Sequence, residues 1–140
     1  NIVVTTSPTE EDLKILSLGI GSYNKDYLPD EVGFEKDTNF AVFAKDVDGI
    51  VLGGIRAKAF WNYCTIELLW LSKDTRGLGL GSHLMEAAEK FAKDKGFGYI
   101  RTETLSFQAK PFYEKLGYTV FGELPDYPKG HTTYCLVKEL

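Results

Sequence analysis

Apolar and polar positions along this chain fall into short blocks whose period switches between that of a strand and that of a helix. Asn1 to Thr5 reads as an opening strand. Ser7-Pro8-Thr9-Glu10 has the layout of a helix start, with Ser7 as cap, proline in the first turn and Glu10 closing a capping box. Leu13, Ile15, Leu16 and Ile20 predict a buried stripe on that helix, which ends near Gly19 to Asn24. Tyr23 to Asn39 is irregular and acidic, carrying Asp26, Asp30, Glu31, Glu35 and Asp37. Asn39 to Lys45 and Ile50 to Phe60 predict two strands joined by the turn Asp46-Val47-Asp48-Gly49. After Trp61-Asn62-Tyr63, Cys64 to Leu71 reads as a central strand, because Ile66 to Leu71 is too short and too continuously apolar for a surface helix. Leu80, Leu84, Ala87, Ala88 and Phe91 recur at helical spacing and predict a helix from Leu80 to Lys95, stopped by Gly96. A strand at Tyr99 to Leu105, a short helix at Gln108 to Leu116, and strands at Tyr118 to Glu123 and Thr132 to Lys138 complete the pattern. The last two strands flank Pro125-Asp126-Tyr127-Pro128-Lys129-Gly130. Strands before and after helices, some joined as hairpins, predict an α/β fold with a mixed sheet.

Size and charge narrow the classes. A length of 140 residues suits one domain, and no repeat, low-complexity tract or linker marks a boundary within 1–140. The net charge of -4 gives no general attraction to nucleic acid or to an anionic membrane. No apolar run reaches membrane-spanning length, and the N-terminus lacks the layout of a signal peptide, so a cytoplasmic location is expected. Cys64 and Cys135 both lie in apolar strand patterns and read as buried free thiols, with a disulfide left open.

The candidate chemistry starts at Arg76-Gly77-Leu78-Gly79-Leu80-Gly81-Ser82, between the central strand and the long helix. Glycines at alternate positions let a ligand approach the backbone closely. The first N–H groups of the helix lack intrahelical partners and lie at its positive end. Together these form an anion cradle suited to a pyrophosphate. The spacing excludes the dinucleotide fingerprint, because Ser82 or Leu84 stands where its third glycine belongs. It excludes a P-loop as well, since no Gly-Lys-Ser/Thr triplet occurs. The remaining pattern, Arg-x-x-Gly-x-Gly with Arg76, Gly79 and Gly81 at its fixed positions, resembles the coenzyme A pyrophosphate loop of the GNAT superfamily of acyl-CoA-dependent N-acyltransferases. Ser106 to Tyr118, with Ala109 followed by Tyr113-Glu114-Lys115-Leu116-Gly117-Tyr118, is similar to that family's late helix. The resemblance covers about Cys64 to Val137, and it departs at Ser106, where many relatives carry Asn. It implies a mixed, mostly antiparallel central sheet of six or seven strands with helices on both faces. It also implies acetyl-CoA as co-substrate, bound by Leu71, Arg76, Gly77, Leu78, Gly79, Leu80, Gly81, Ser82 and Ser106. A homodimer is a further implication of the resemblance.

Moving an acetyl group from a thioester to an amine requires three things: deprotonation of the amine, a site for the oxyanion, and a proton for the departing thiolate. Glu67 is the only charge within Ile66 to Leu71. A carboxylate among such neighbours is expected to be desolvated with a raised pKa, which suits a base acting directly or through a water. Strict alternation puts Glu67 on the side of Leu69 and Leu71, opposite Ile66, Leu68 and Trp70, and an outward-facing strand residue is the competing reading. Tyr113 is the candidate donor to the leaving sulfur, the role the resemblance assigns it. A phenol titrating near ~10 protonates a thiolate near ~8.5 only if the pocket assists. Phe112 and Tyr113 as plain aromatic core is the alternative. For the oxyanion, the resemblance points to a backbone N–H around Leu71.

Arg76 is planar, permanently charged and suited to bidentate phosphate contact; Lys73 and Lys110 can add charge nearby. His83 and His131 have no companion ligands at useful spacing, so no metal is expected. No Ser-His-Asp or Cys-His arrangement supports an acyl-enzyme, which leaves direct attack by the amine in a ternary complex. Acceptor identity is expected in the irregular segments Tyr23 to Asn39, Trp61 to Tyr63 and Pro125 to His131. The acidic residues of the first segment suggest a cationic amine or simply a solvated loop. A non-catalytic acyl-CoA-binding regulatory module is the rival function, and retention of both Glu67 and Tyr113 favours the enzyme.

Overall fold

Thr9 opens the first helix, α1 (Glu10–Lys25): it lies in the extended region, and its hydroxyl accepts from the Asp12 N–H at 3.1 Å. The expected cap was Ser7, whose N–H instead donates to the Thr5 hydroxyl. Capping from Thr9 puts Glu10, Glu11 and Asp12 in the first turn, where the positive end of the helix favours them. The structure, a computed structural model, describes residues 1–28 and 38–140, so most of the expected acidic segment lies outside the described residues. The chain divides into two units, Asn1–Gly33 and Phe34–Leu140. Within the first, Asn1 to Thr5 is not a strand, and Leu13, Ile15, Leu16 and Ile20 are exposed rather than buried. The physical reason lies inside that unit. Its described residues contain no second strand to complete a ladder and no second layer to cover an apolar stripe.

In the second unit, β1 (Thr38–Lys45) and β2 (Val51–Phe60) form a hairpin pinned by Asp46. Its carboxylate accepts from the N–H groups of Asp48 and Ile50, both at 2.9 Å. β3 (Tyr63–Leu71) returns antiparallel to β2, and then a 3-10 turn, Lys73–Thr75, leads into α2 (Leu80–Asp94). The crossover through α2 makes β4 (Tyr99–Leu105) parallel to β3. A short α3 (Lys110–Lys115) is followed by β5 (Thr119–Pro125) and β6 (Thr132–Glu139). The six described strands lie in the order β1-β2-β3-β4-β6-β5, and β3–β4 is the parallel pair. The expected α/β class and mostly antiparallel sheet are what the chain adopts.

The core lies between this sheet and α2. Leu84, Met85, Ala88 and Ala92 pack with Ala57, Ala59, Ile66, Ile100 and Leu136, and Tyr113 of α3 joins the same cluster. Near the C-terminal half of α2, Glu89 ties three elements together. It accepts from the Tyr118 hydroxyl at 3.1 Å and from Lys138 Nζ at 2.6 Å. Both cysteines are buried free thiols, and burial pushes the Cys64 thiol up to about 11.

Candidate active site

The site begins at an irregularity in β3. Ala57 pairs with Ile66 and Arg56 with Leu68, so Glu67 is an extra residue opposite β2. Such a bulge reverses the facing of everything beyond it. Cys64 and Ile66 are buried before it; after it, Leu69 and Leu71 turn to the core while Leu68 and Trp70 are exposed. The strict alternation expected from the sequence therefore fails: Ile66 shares a side with Leu69 and Leu71, and Glu67 does not. The bulge also marks where the sheet opens. Parallel pairing of β3 with β4 runs from Tyr63↔Tyr99 to Ile66↔Thr102 and ends there. The Thr102 hydroxyl donates to the Ile66 carbonyl at 3.1 Å, closing the last rung. Beyond it, Glu67–Leu71 and Glu103–Leu105 form the two lips of a split.

Hydrogen-bond alternation on the β2 side fixes what β3 offers to the split. Ser72 N–H bonds the Leu52 carbonyl, so Leu71 and Leu69, opposite Gly53 and Ile55, are in non-hydrogen-bonded pairs with β2. Their N–H groups point the other way, toward the opening.

On the helix side of the split lies a cavity of about 640 Å³ lined by Leu69, Trp70, Leu71, Arg76, Gly81, Phe107, Gln108, Ala109 and Phe112. It is largely apolar apart from Gln108 and Arg76, and Arg76 Nε donates to the Leu71 carbonyl at 3.2 Å. The glycine run is shaped as a cradle. Gly77 and Gly79 have φ of +79° and +78°, and Gly79 caps α2 with no side-chain acceptor and no acid in the first turn. The α2 N-terminus is thus free of side-chain competition for an anion. At Gly81 a Cβ would lie 3.3 Å from the Phe112 ring, so the absence of a side chain lets α3 approach the start of α2. Leu80 packs on the core, Ser82 is exposed in the first turn, and Leu78 is an exposed tip.

A second cavity, about 220 Å³, occupies the split itself and is lined by Glu67, Leu68, Leu69, Thr102, Glu103, Thr104, Gln108, Ala109 and Tyr113. It brings Glu67 and Tyr113 together from opposite faces of the sheet. Tyr113 is 5% exposed, and burial pushes its phenol above the usual range despite the opposing Thr102 hydroxyl. The phenol therefore keeps its proton throughout the neutral range. Glu67 corrects the expectation of a desolvated carboxylate: its side chain is 38% exposed, and Arg56 Nε donates to Oε1 at 3.1 Å.

Ser106 lines neither cavity; its hydroxyl accepts from the Thr132 N–H, and its own N–H bonds the Thr132 carbonyl. Gln108 lines both, held by Oε1 accepting from the Leu105 N–H at 2.9 Å. Sequence reasoning passed over Gln108 and Glu103, since neither belongs to a motif that marks it and only the tertiary structure brings them to the opening. It also missed Ser72 and Thr75, whose hydroxyls bond each other at 3.0 Å and fix the turn that carries Arg76. His131 is exposed and meets the Phe107 ring edge-on. Lys110 lies over the Tyr134 ring, with Nζ 4.6 Å from its centre.

A family model described as the acetyltransferase (GNAT) family matches residues 10–118. The chain is 41% identical over 103 residues to a blasticidin-S acetyltransferase from Streptomyces morookaense, covering 72% of this chain and 75% of that one. Its fold superposes on an acetyltransferase structure from Bacillus cereus with a TM-score of 0.88 and 30% identity, covering 99% of this chain and 98% of that one. A structure from Bacillus anthracis, solved in complex with acetyl coenzyme A, gives a TM-score of 0.67 at 25% identity over 84% of this chain and 72% of that one.

Proposed function

The chain belongs to the acetyltransferase (GNAT) family and is an acetyl-CoA-dependent N-acetyltransferase, and from that premise we propose that its split β3–β4 junction acetylates a basic amine of a small molecule in a ternary complex. The observation that carries this reading is the shared cavity of Glu67 and Tyr113, a base and an acid on opposite faces of one opening. The similarity to a blasticidin-S acetyltransferase supports a small-molecule acceptor.

The larger cavity suits the pantetheine arm. Its apolar walls exclude water from the thioester, while Arg76 and the N-terminus of α2 suit the pyrophosphate. Glu67, directly or through a water, takes a proton from the acceptor ammonium. The freed nitrogen forms a bond to the acetyl carbon, and the carbon–sulfur bond breaks. The second proton that the nitrogen then sheds ends on the departing sulfur, so the products are the amide and the free thiol of CoA. The Leu71 N–H is placed to meet the developing oxyanion. Tyr113 donates to the leaving sulfur. Its raised pKa makes full proton transfer uphill, but the same dry surroundings raise the cost of a free thiolate, so the donated hydrogen bond strengthens as charge develops. A regulatory acyl-CoA sensor would need the cradle alone, so the Glu67–Tyr113 cavity favours turnover. The buried thiols Cys64 and Cys135 support a reducing cytoplasm.

The test is release of free thiol from acetyl-CoA with blasticidin S, spermidine and benzylamine as acceptors. Thiol release with a basic acceptor is expected. Binding of acetyl-CoA by calorimetry with no thiol release from any amine would overturn the reading.

A further inference from the structure

Glu67 and Glu103 stand in matching places. The last rung between β3 and β4 is Ile66↔Thr102, so each glutamate is the first residue released beyond it, one on either lip of the split. Both line the 220 Å³ cavity that Tyr113 reaches from the other face. Each is held by an arginine on its own side: Arg56 Nε meets Oε1 of Glu67 at 3.1 Å, and Arg101 Nη2 meets Oε1 of Glu103 at 3.3 Å. A carboxylate has two oxygens and room for several donors, so these contacts leave acceptor capacity on both acids. Two like charges across a small opening favour a cation between them.

We propose that Glu103 is a specificity-determining residue that holds the acceptor in its cationic form, which selects polycationic over monocationic amines. This rests on the acetyl-transfer reading of the cavity. The division of labour follows from position. Glu67 lines the opening together with Leu69 on the β3 lip and handles the proton of the reacting nitrogen. Glu103, across the split, keeps a charge that never leaves and pairs with a second positive centre of the acceptor. One base serves one ammonium, and a second acid that takes no part in proton transfer keeps its charge, beside its Arg101 partner, for a further positive centre on the acceptor. The Arg101–Glu103 pair is partly exposed, with side chains 32% and 47% accessible, so replacing Glu103 should leave the fold intact.

The experiment compares wild type, Glu103→Gln and Glu103→Asp with acetyl-CoA and two acceptors, spermidine and benzylamine. For Glu103→Gln, the expected result is a roughly 10-fold rise in KM for spermidine, consistent with loss of one charge-assisted contact. KM for acetyl-CoA and for benzylamine should stay within about twofold, with partial recovery in Glu103→Asp. Added salt should raise the spermidine KM more steeply in wild type than in Glu103→Gln, a response that a merely structural glutamate would not produce. An unchanged spermidine KM in an active Glu103→Gln enzyme overturns this inference and leaves the reading of the site standing. Failure of wild type to acetylate any amine overturns both.

Discussion

The two halves of β3 are one strand with opposite duties. From Tyr63 to Ile66 it is bonded to β2 on one side and β4 on the other, and Cys64 and Ile66 are 0% and 2% exposed. From Glu67 to Leu71 it keeps β2 and loses β4, and Leu68 and Trp70 are 44% and 51% exposed. The first half buys stability from packing; the second gives up one ladder and gains a backbone edge, an acid and a cavity wall. A functional opening in a sheet is made here by ending a pairing, with one extra residue at the point where it ends.

The comparison breaks most visibly if the sealed half is damaged. Ile66→Ala should cost about 2–5 kcal/mol of stability, the range for a fully buried large-to-small change. Acetyl transfer per folded molecule should survive well below the melting point, as read by paired denaturation and activity assays. A large loss of activity without loss of stability would show that the two halves are not separable.

In the open half, Tyr113→Phe removes one hydroxyl and keeps the ring in its place beside Phe112 and Tyr118. Turnover should fall about 100-fold, or ~2.7 kcal/mol, with acetyl-CoA affinity and melting temperature nearly unchanged. Equal rates in the two proteins would return Tyr113 to the core.

Alkaline pH should weaken the sealed half. The Cys64 thiol titrates near 9 when exposed and near 11 when folded, so its contribution is complete below pH 9 and is lost as pH rises toward 11. That two-unit interval corresponds to about 2–3 kcal/mol, measurable by urea unfolding at a series of pH values. The slope should flatten in Cys64→Ala. Burial raises the phenols of Tyr113 and Tyr118 as well, so some decline should persist above pH 10 in that variant. An identical slope in both proteins would remove Cys64 from the account.

The smallest effect is expected at the cradle. Arg76→Ala should raise KM for acetyl-CoA about 10-fold, or ~1.4 kcal/mol, and leave kcat near wild type. A fall in kcat instead would mean that the Arg76 contact to the Leu71 carbonyl positions the oxyanion donor.

What could be read from the sequence was local. The helix from Leu80, the turn at Asp46 to Gly49 and the glycine run each depend on residues within a few positions of one another, and they appear where expected. Gly81 shows the limit: its place in the loop pattern was legible, but the Phe112 ring against it comes from 31 positions away. At the first helix Ser7 was the expected cap, and Thr9, two residues on and next to the acidic turn, holds that place instead. The bulge at Glu67 left no trace, because a run of apolar residues looks the same with or without a reversal of facing.

The sequence by itself determined the class of the fold and the place of the glycine run at a helix start, because spacing along the chain specifies helix starts, turns and strand lengths. Tyr113 as acid candidate came from the family resemblance. Only the tertiary structure decided that Glu67 is exposed and paired with Arg56, that Ser106 is taken up by Thr132, and that Glu103 shares a cavity with Tyr113. Those depend on the registers of β2 with β3, of β4 with β6 and of β3 with β4, and no interval within any one strand encodes where a pairing stops.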